Sequence, residues 1–151
     1  MSLKDKLEQD IKQAMLSGDK TLVTTLRGLK SAILNVEVAQ GIRDTGLPDE
    51  EVVTLFAKEA KKRQESADLY VQGGNQEKAE AELTEKKVIE GYLPAQLSEE
   101  EILKLVDEAI AATGANSPAQ MGQVIGMVKQ KTGAAADGGV IARLAKEKLS
   151  Q

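Results

Sequence analysis

The 151-residue chain has no cysteine and no histidine, and aromatic residues make up only 2% of it. It therefore cannot form a disulfide, a serine–histidine–aspartate triad, a thiol nucleophile or a zinc site with nitrogen and sulfur ligands. No apolar run reaches the roughly 20 residues of a membrane-spanning helix, and residues 1–6 carry no apolar stretch of the secretory type. We expect a cytoplasmic protein that makes no membrane contact.

The glycines follow neither of the common nucleotide-binding patterns. There is no G-x-x-x-x-G-K-[ST] loop and no G-x-G-x-x-G segment after a strand. The most regular pair of carboxylates, Glu82 and Glu85, lies on a highly charged segment beside Lys86. We interpret this segment as a solvated helix face with a Glu82–Lys86 ion pair. No catalytic residue, metal site or cofactor is predicted.

Apolar residues recur every three or four positions almost throughout the chain, which predicts an all-α fold. The clearest stripe consists of Leu22, Leu26, Leu29, Ile33 and Val36. The sequence Gly-Tyr-Leu-Pro at 91–94 interrupts the helical pattern and predicts a domain boundary. We predict a bundle of about four helices over residues 1–93 and a small three-helix domain over residues 94–151. Ser98 with Glu101 is predicted to form a capping box at the fifth helix, Ser117 to cap the sixth helix and Asp137 the seventh.

The formal net charge is −4, but the charges are unevenly distributed. Residues 47–101 carry 7 basic and 14 acidic groups, whereas residues 120–151 carry 5 basic and 2 acidic groups. The negative net charge of the chain argues against broad nucleic-acid affinity, while the basic C-terminal end is compatible with a local anion contact. The candidates for that contact are Lys129, Lys131, Arg143 and Lys146.

A glycine-rich turn over residues 133–139 precedes the last predicted helix, whose free N-terminal amides could bind a phosphate. The alternative is an ordinary turn between two helices with a solvated face. Asp137 favours this alternative, because an aspartate at the N-cap occupies those amides itself and repels an anion. Both interpretations stay open from the residues alone.

Two further pairs of cations are secondary candidates for RNA contacts. Arg27 and Lys30 lie on the second predicted helix, and Lys62 and Arg63 lie on the third. Arg63 falls on the apolar stripe of its helix, so we expect its charge to be partly covered or paired. Salt-bridged or solvated surface positions explain the other three equally well.

Several segments resemble the GatB/YqeY family. These are LRGLKSAI at 26–33, KRQES at 62–66, YLPAQLSEEE at 92–101 and MGQVIGMV at 121–128, followed by Gly133, Gly138 and Val140. The resemblance covers essentially the full length, and the order and spacing of the segments are its strongest part. Members often carry a basic residue just after the glycine of the last turn. This chain has Ala134, Ala135 and Ala136 there.

The resemblance implies a C-terminal domain similar to the tail of the GatB component of the tRNA-dependent amidotransferase. That tail helps to hold misacylated Glu-tRNA or Asp-tRNA while other parts of the enzyme activate the substrate and supply ammonia. The implied function is therefore tRNA or RNA binding, in association with a carbon–nitrogen ligase that uses glutamine as amido donor. Because this chain has no ATP-binding signature and no glutaminase nucleophile set, we do not expect it to be an enzyme by itself.

Two functions of different classes follow. The first is a module that binds tRNA or another RNA through its basic C-terminal end. The second is an adaptor that docks a protein of the translation machinery on its acidic third and fourth helices.

Overall fold

A computed structural model describes all residues from Met1 to Gln151 and consists of seven α-helices and two short 3₁₀ turns. No strand is present, so the all-α prediction is confirmed. None of the helices is both long enough and apolar enough to cross a membrane.

The chain divides into two compact units, Met1–Leu93 and Pro94–Gln151, each with its own apolar core. The helices of the first unit are α1 (Leu3–Ser17), α2 (Lys20–Gln40), α3 (Asp49–Gln72) and α4 (Gln76–Glu90). Those of the second are α5 (Glu99–Thr113), α6 (Met121–Thr132) and α7 (Gly138–Leu149). The 3₁₀ turns Pro118–Gln120 and Gly133–Ala135 precede α6 and α7.

Local signals place the first two helices. The Ser2 hydroxyl accepts a hydrogen bond from the Asp5 amide at 3.1 Å, and the Asp5 carboxylate accepts one from the Ser2 amide at 3.2 Å. This capping box satisfies two amides that helix geometry leaves unpaired. Gly18, in the left-handed conformation with φ +76°, ends α1, and the Asp19 carboxylate caps α2. The short connection makes α1 and α2 antiparallel neighbours.

The core of the first unit is aliphatic apart from one aromatic pair. The rings of Phe56 and Tyr92 meet edge to face, with centroids 5.7 Å apart. Such pairs contribute beyond the apolar area that they bury. The other buried members of this core are Leu7, Ile11, Ala14, Leu26, Leu29, Ile33, Leu47, Val52, Ala60 and Ile89.

A buried carboxylate connects three parts of this unit. Glu37 of α2 is only 3% exposed. Its Oε2 accepts hydrogen bonds from Lys4 Nζ of α1 at 2.7 Å and from the amide of Leu47, before α3, at 2.8 Å. The hydrogen bond from Lys4 holds the pKa of Glu37 below its ordinary value of 4.5, against the opposing effect of burial.

In the second unit the helix ends differ in one respect from the sequence prediction. Ser98 accepts from the Glu101 amide at 3.2 Å at the start of α5, and Asp137 caps α7, so both of these predicted caps are present. The predicted cap at Ser117 is wrong, because its side chain makes no capping hydrogen bond and a 3₁₀ turn comes before α6. Instead, Gln120 Oε1 accepts from the Asn116 amide at 2.8 Å. The buried members of the second core are Ile102, Val106, Ala109, Ala115, Val124, Val128, Ala136, Ile141, Leu144, Ala145 and Leu149.

We expect Glu37→Gln to lower the free energy of unfolding at pH 7 by about 1–3 kcal/mol, because it removes a buried charge-assisted pair. A carboxylate whose pKa is lowered on folding stabilises the fold above its ordinary pKa, and this contribution disappears as the pH falls through the lower folded-state value. The difference from the wild type should therefore shrink below pH 4.5, the ordinary value for this group. Urea unfolding at a series of pH values measures both effects.

The matched control is Glu8→Gln, which removes the partner of Lys30 in an exposed pair. We expect it to change the free energy of unfolding by less than about 1 kcal/mol. Equal effects of the two substitutions would contradict the role given to Glu37.

Candidate nucleic-acid interface

The four principal candidate cations lie in the second unit and are all exposed. Lys129 and Lys131 occupy the last turn of α6, and Arg143 and Lys146 lie one turn apart on α7. Cations in the last turn of a helix also interact favourably with its negative end. The structure therefore brings the candidates onto two packed helices.

Most of these cations already have partners within the unit. Lys129 Nζ donates to the carbonyl oxygen of Ala136 at 2.9 Å. Lys131 Nζ lies 4.0 Å from Glu108 Oε2. Arg143 pairs with Glu99, and its Nη1 lies 3.4 Å from Glu147 Oε1. Lys146 is exposed one turn beyond Arg143.

Helix α5 supplies much of the opposing charge. Glu99 and Glu108 pair with Arg143 and Lys131, and Asp107 Oδ1 lies 3.6 Å from Lys148 Nζ. All these partners are largely exposed, and exposed pairs are worth about 0–1 kcal/mol each. Breaking these pairs therefore costs little free energy. The positive charge is local, since residues 94–151 carry 6 basic and 7 acidic groups.

The N-terminus of α7 is occupied by its own capping residue. Asp137 Oδ1 accepts a hydrogen bond from the Gly139 amide at 3.2 Å. The acidic side chain thus holds an amide that a phosphate at this helix end would need. This geometry supports the interpretation of the glycine-rich segment as a turn between two helices.

The secondary candidate cations in the first unit differ in their contacts and in their exposure. Arg27 Nη2 lies 3.6 Å from the sulfur of Met15, and Lys30 Nζ lies 2.5 Å from Glu8 Oε1. Lys62 Nζ lies 3.3 Å from Glu59 Oε1 and is well exposed. Arg27, Lys30 and Lys62 are therefore surface cations.

Arg63 is bound by three carboxylates between α3 and α4. Its Nε lies 2.9 Å from Glu85 Oε2 and 3.8 Å from Glu82 Oε2, and its Nη1 lies 3.8 Å from Glu59 Oε2. The expectation that Arg63 is paired is confirmed. The expected Glu82–Lys86 pair is wrong, because Glu82 faces α3, and Lys86 Nζ contacts Gln64 at 2.8 Å and Glu90 at 3.7 Å.

Comparison with known proteins establishes the family. The model of the YqeY-like proteins matches residues 4–149, nearly the whole chain. The chain belongs to the YqeY-like family. This family is related to the GatB tail domain of the amidotransferase, as the sequence resemblance indicated.

Two relatives of this YqeY-like chain carry the name altered inheritance of mitochondria protein 41, mitochondrial. The protein from Kluyveromyces lactis is 31% identical over 129 residues, which cover 83% of this chain and 69% of the relative. The protein from Eremothecium gossypii is 34% identical over 89 residues, covering 59% of this chain and 48% of the relative. Their names place those proteins in mitochondria and do not support the cytoplasmic expectation for this chain.

One polar cluster in the YqeY-like chain was not predicted from the sequence. The Tyr92 hydroxyl donates to the Asp10 carboxylate, and Lys6 Nζ lies 4.3 Å from the centroid of the Tyr92 ring. Burial and the Asp10 carboxylate both raise the pKa of the Tyr92 phenol. These side chains lie beside a surface groove of about 410 Å³. Lys6, Asp10 and Tyr92 are polar partners of one another, and their contacts connect α1 to the end of the first unit.

The described residues contain no group of three or more carboxylates arranged to hold a metal ion. The three acids around Arg63 are instead neutralised in part by its guanidinium. Each carboxylate is half-buried or better covered, so the guanidinium of Arg63 is needed to offset their mutual repulsion, and Lys62 adds a second cation beside Glu59.

We expect Arg63→Met to lower the free energy of unfolding by about 1–3 kcal/mol, because three carboxylates lose their shared counter-charge. Lys62→Met is the matched control, since the side chain of Lys62 is 65% exposed whereas that of Arg63 is 29% exposed. Its effect should stay below about 1 kcal/mol. Urea unfolding measures the free energy of unfolding of the two variants. An equal decrease in both would refute the special role of Arg63.

Proposed function

We propose that this protein is a non-catalytic accessory module that binds tRNA through the basic ends of α6 and α7. The observation that carries the proposal is membership of a family related to the amidotransferase tail domain, together with the placement of four exposed cations on the corresponding unit. In this proposal the module assists a carbon–nitrogen ligase that uses glutamine as amido donor.

The electrostatics support a weak and salt-sensitive contact. Lys131 and Arg143 are held only by exposed carboxylates, so phosphates compete with Glu108 and Glu99 for them. Lys146 adds a further exposed ammonium on α7. Each phosphate neutralised on duplex nucleic acid contributes a slope of about −0.9 to the dependence of log K on log salt concentration. A few such contacts give binding that disappears at high salt.

The residue types present support a role without chemistry of its own. The chain lacks the histidine and cysteine that supply most proton-transfer and thiol catalysis. Its lowered carboxylate pKa values belong to Asp5, Asp10 and Glu37, which form a helix cap and internal pairs. An activated acyl group and ammonia would therefore have to come from partner proteins.

A second candidate is the adaptor function through the acidic α3–α4 face. The observation that favours it is a set of exposed apolar side chains on these two helices, namely Leu69, Val71 and Leu83. A docked protein would cover this exposed apolar area and gain free energy by removing it from water. A chain that docks proteins here, and that binds no tRNA at low salt, would fit this candidate better than the first.

The tRNA proposal is tested by titrating labelled tRNA with the full chain at two salt concentrations. We expect the triple substitution Lys129→Ala, Lys131→Ala and Arg143→Ala to weaken binding. It should also flatten the salt dependence by about one unit of slope for each phosphate that the variant no longer binds. Fluorescence anisotropy gives both quantities.

The control is Lys104→Ala, which removes an exposed cation from α5 of the same unit. It should leave the affinity and the slope nearly unchanged. Binding by the triple variant that equals that of the wild type would exclude these three residues from the interface.

A further inference from the structure

The solvent-facing surface of α2 carries cations and no carboxylate. The helix has three basic residues, Lys20, Arg27 and Lys30, all of them exposed. Its single acidic residue is Glu37, which is buried beneath Lys4. In a protein with a net charge of −4, this helix therefore presents a positive face.

The same surface carries an apolar pair that the core does not use. Leu34 and Val38 lie one turn apart on α2 and are 40% and 59% exposed. The core-facing residues Leu26, Leu29 and Ile33 are each only 2% exposed. Helix α2 thus has a second apolar strip beside the one that packs inward.

A groove between α1 and α2 lies next to this strip. Its volume is about 310 Å³, and Leu7 and Ile33 line its apolar floor. Leu34 lines it as well, so that the exposed strip continues into the groove. The groove and the strip together form one apolar surface between two antiparallel helices.

The rim of the groove is positively charged. Lys4, Lys30 and Arg43 line it, opposed by the carboxylates of Glu8 and Glu37. The two carboxylates are engaged by Lys4 and Lys30. Arg43, exposed on the loop after α2, belongs to neither ion pair, and it remains as the excess cation of the rim.

We propose that this face, made of the α1–α2 groove with Leu34, Val38 and Arg43, binds an acidic amphipathic helix of a partner protein. Apolar side chains of such a helix, spaced three and four residues apart, would cover Leu34 and Val38 and enter the groove. Its carboxylates would meet Arg43 and Lys30 at the rim. A nucleic acid would satisfy the cations, but its phosphates would leave the apolar strip uncovered.

This docking face is independent of the proposed tRNA contact. It lies wholly within residues 1–93, whereas the tRNA contact lies within residues 94–151. Loss of one activity therefore leaves the other intact, and the two proposals can fail separately.

The test uses the full chain and two designed peptides of equal length. Both place leucines at helical spacing on one face, and one carries glutamates on the other face while the second carries lysines. We expect the glutamate peptide to bind and to shift the backbone NMR signals of Leu34 and Val38. The lysine peptide should not bind, and raising the salt concentration should weaken the glutamate complex.

Two substitutions locate the contact. Leu34→Gln should weaken binding of the glutamate peptide by about tenfold, because it removes apolar area at the centre of the contact. The matched control is Leu16→Gln near the end of α1, since Leu16 is an exposed leucine that does not line the groove. It should bind as the wild type does. Arg43→Gln should weaken binding and reduce its salt dependence.

Three results would overturn the proposal. One is failure of the glutamate peptide to bind at concentrations up to about 1 mM, the weakest affinity of interest here. Another is equal binding of the two peptides, or equal effects of Leu34→Gln and Leu16→Gln on binding of the glutamate peptide. The third is a shift of the Leu34 and Val38 signals by tRNA but not by the glutamate peptide, which would assign the face to nucleic acid.

Discussion

The proposed tRNA contact depends on exposed ion pairs between the helices of the second unit. Arg143 and Lys131, which project from α7 and α6, are held by Glu99 and Glu108 of α5. These pairs are exposed and therefore weak, so they position the cations and leave them exchangeable. The unit can remain close to neutral and still offer positive charge to a strongly anionic partner. In our proposal, a chain of acidic composition from a family related to the GatB tail domain contacts tRNA in this way.

The ion pairs that stabilise the first unit are more deeply buried than the exposed, exchangeable pairs of the second unit. Glu37 is bound by Lys4 and by a backbone amide in the interior, and Arg63 is surrounded by three partly covered carboxylates. Breaking either arrangement leaves a charge without a partner in a poorly solvated place, which is costly. We therefore propose the binding role for the exposed cations of the second unit, while Arg63 and Glu37 hold the helices of the first unit together.

Much of the fold could be predicted from the sequence because the signals that start, continue and end a helix are local. The spacing of Leu22, Leu26, Leu29 and Ile33 predicts a helix that the structure contains. The errors concern contacts between elements. The Glu82–Lys86 pair follows from spacing along one helix, yet Glu82 faces Arg63 of a neighbouring helix. The charge at the rim of the α1–α2 groove depends on the position of Arg43 in the loop after α2. The helical periodicity of the sequence does not predict that position.

The double substitution Glu99→Gln and Glu108→Gln tests our proposal that carboxylates of α5 compete with tRNA for the cations of α6 and α7. Its control is Glu100→Gln with Glu101→Gln, which removes the same charge from the first turn of α5. The account predicts that freeing Arg143 and Lys131 tightens tRNA binding several-fold beyond the control. Equal affinities of the two double variants, or weaker binding when the pairs are broken, would contradict it.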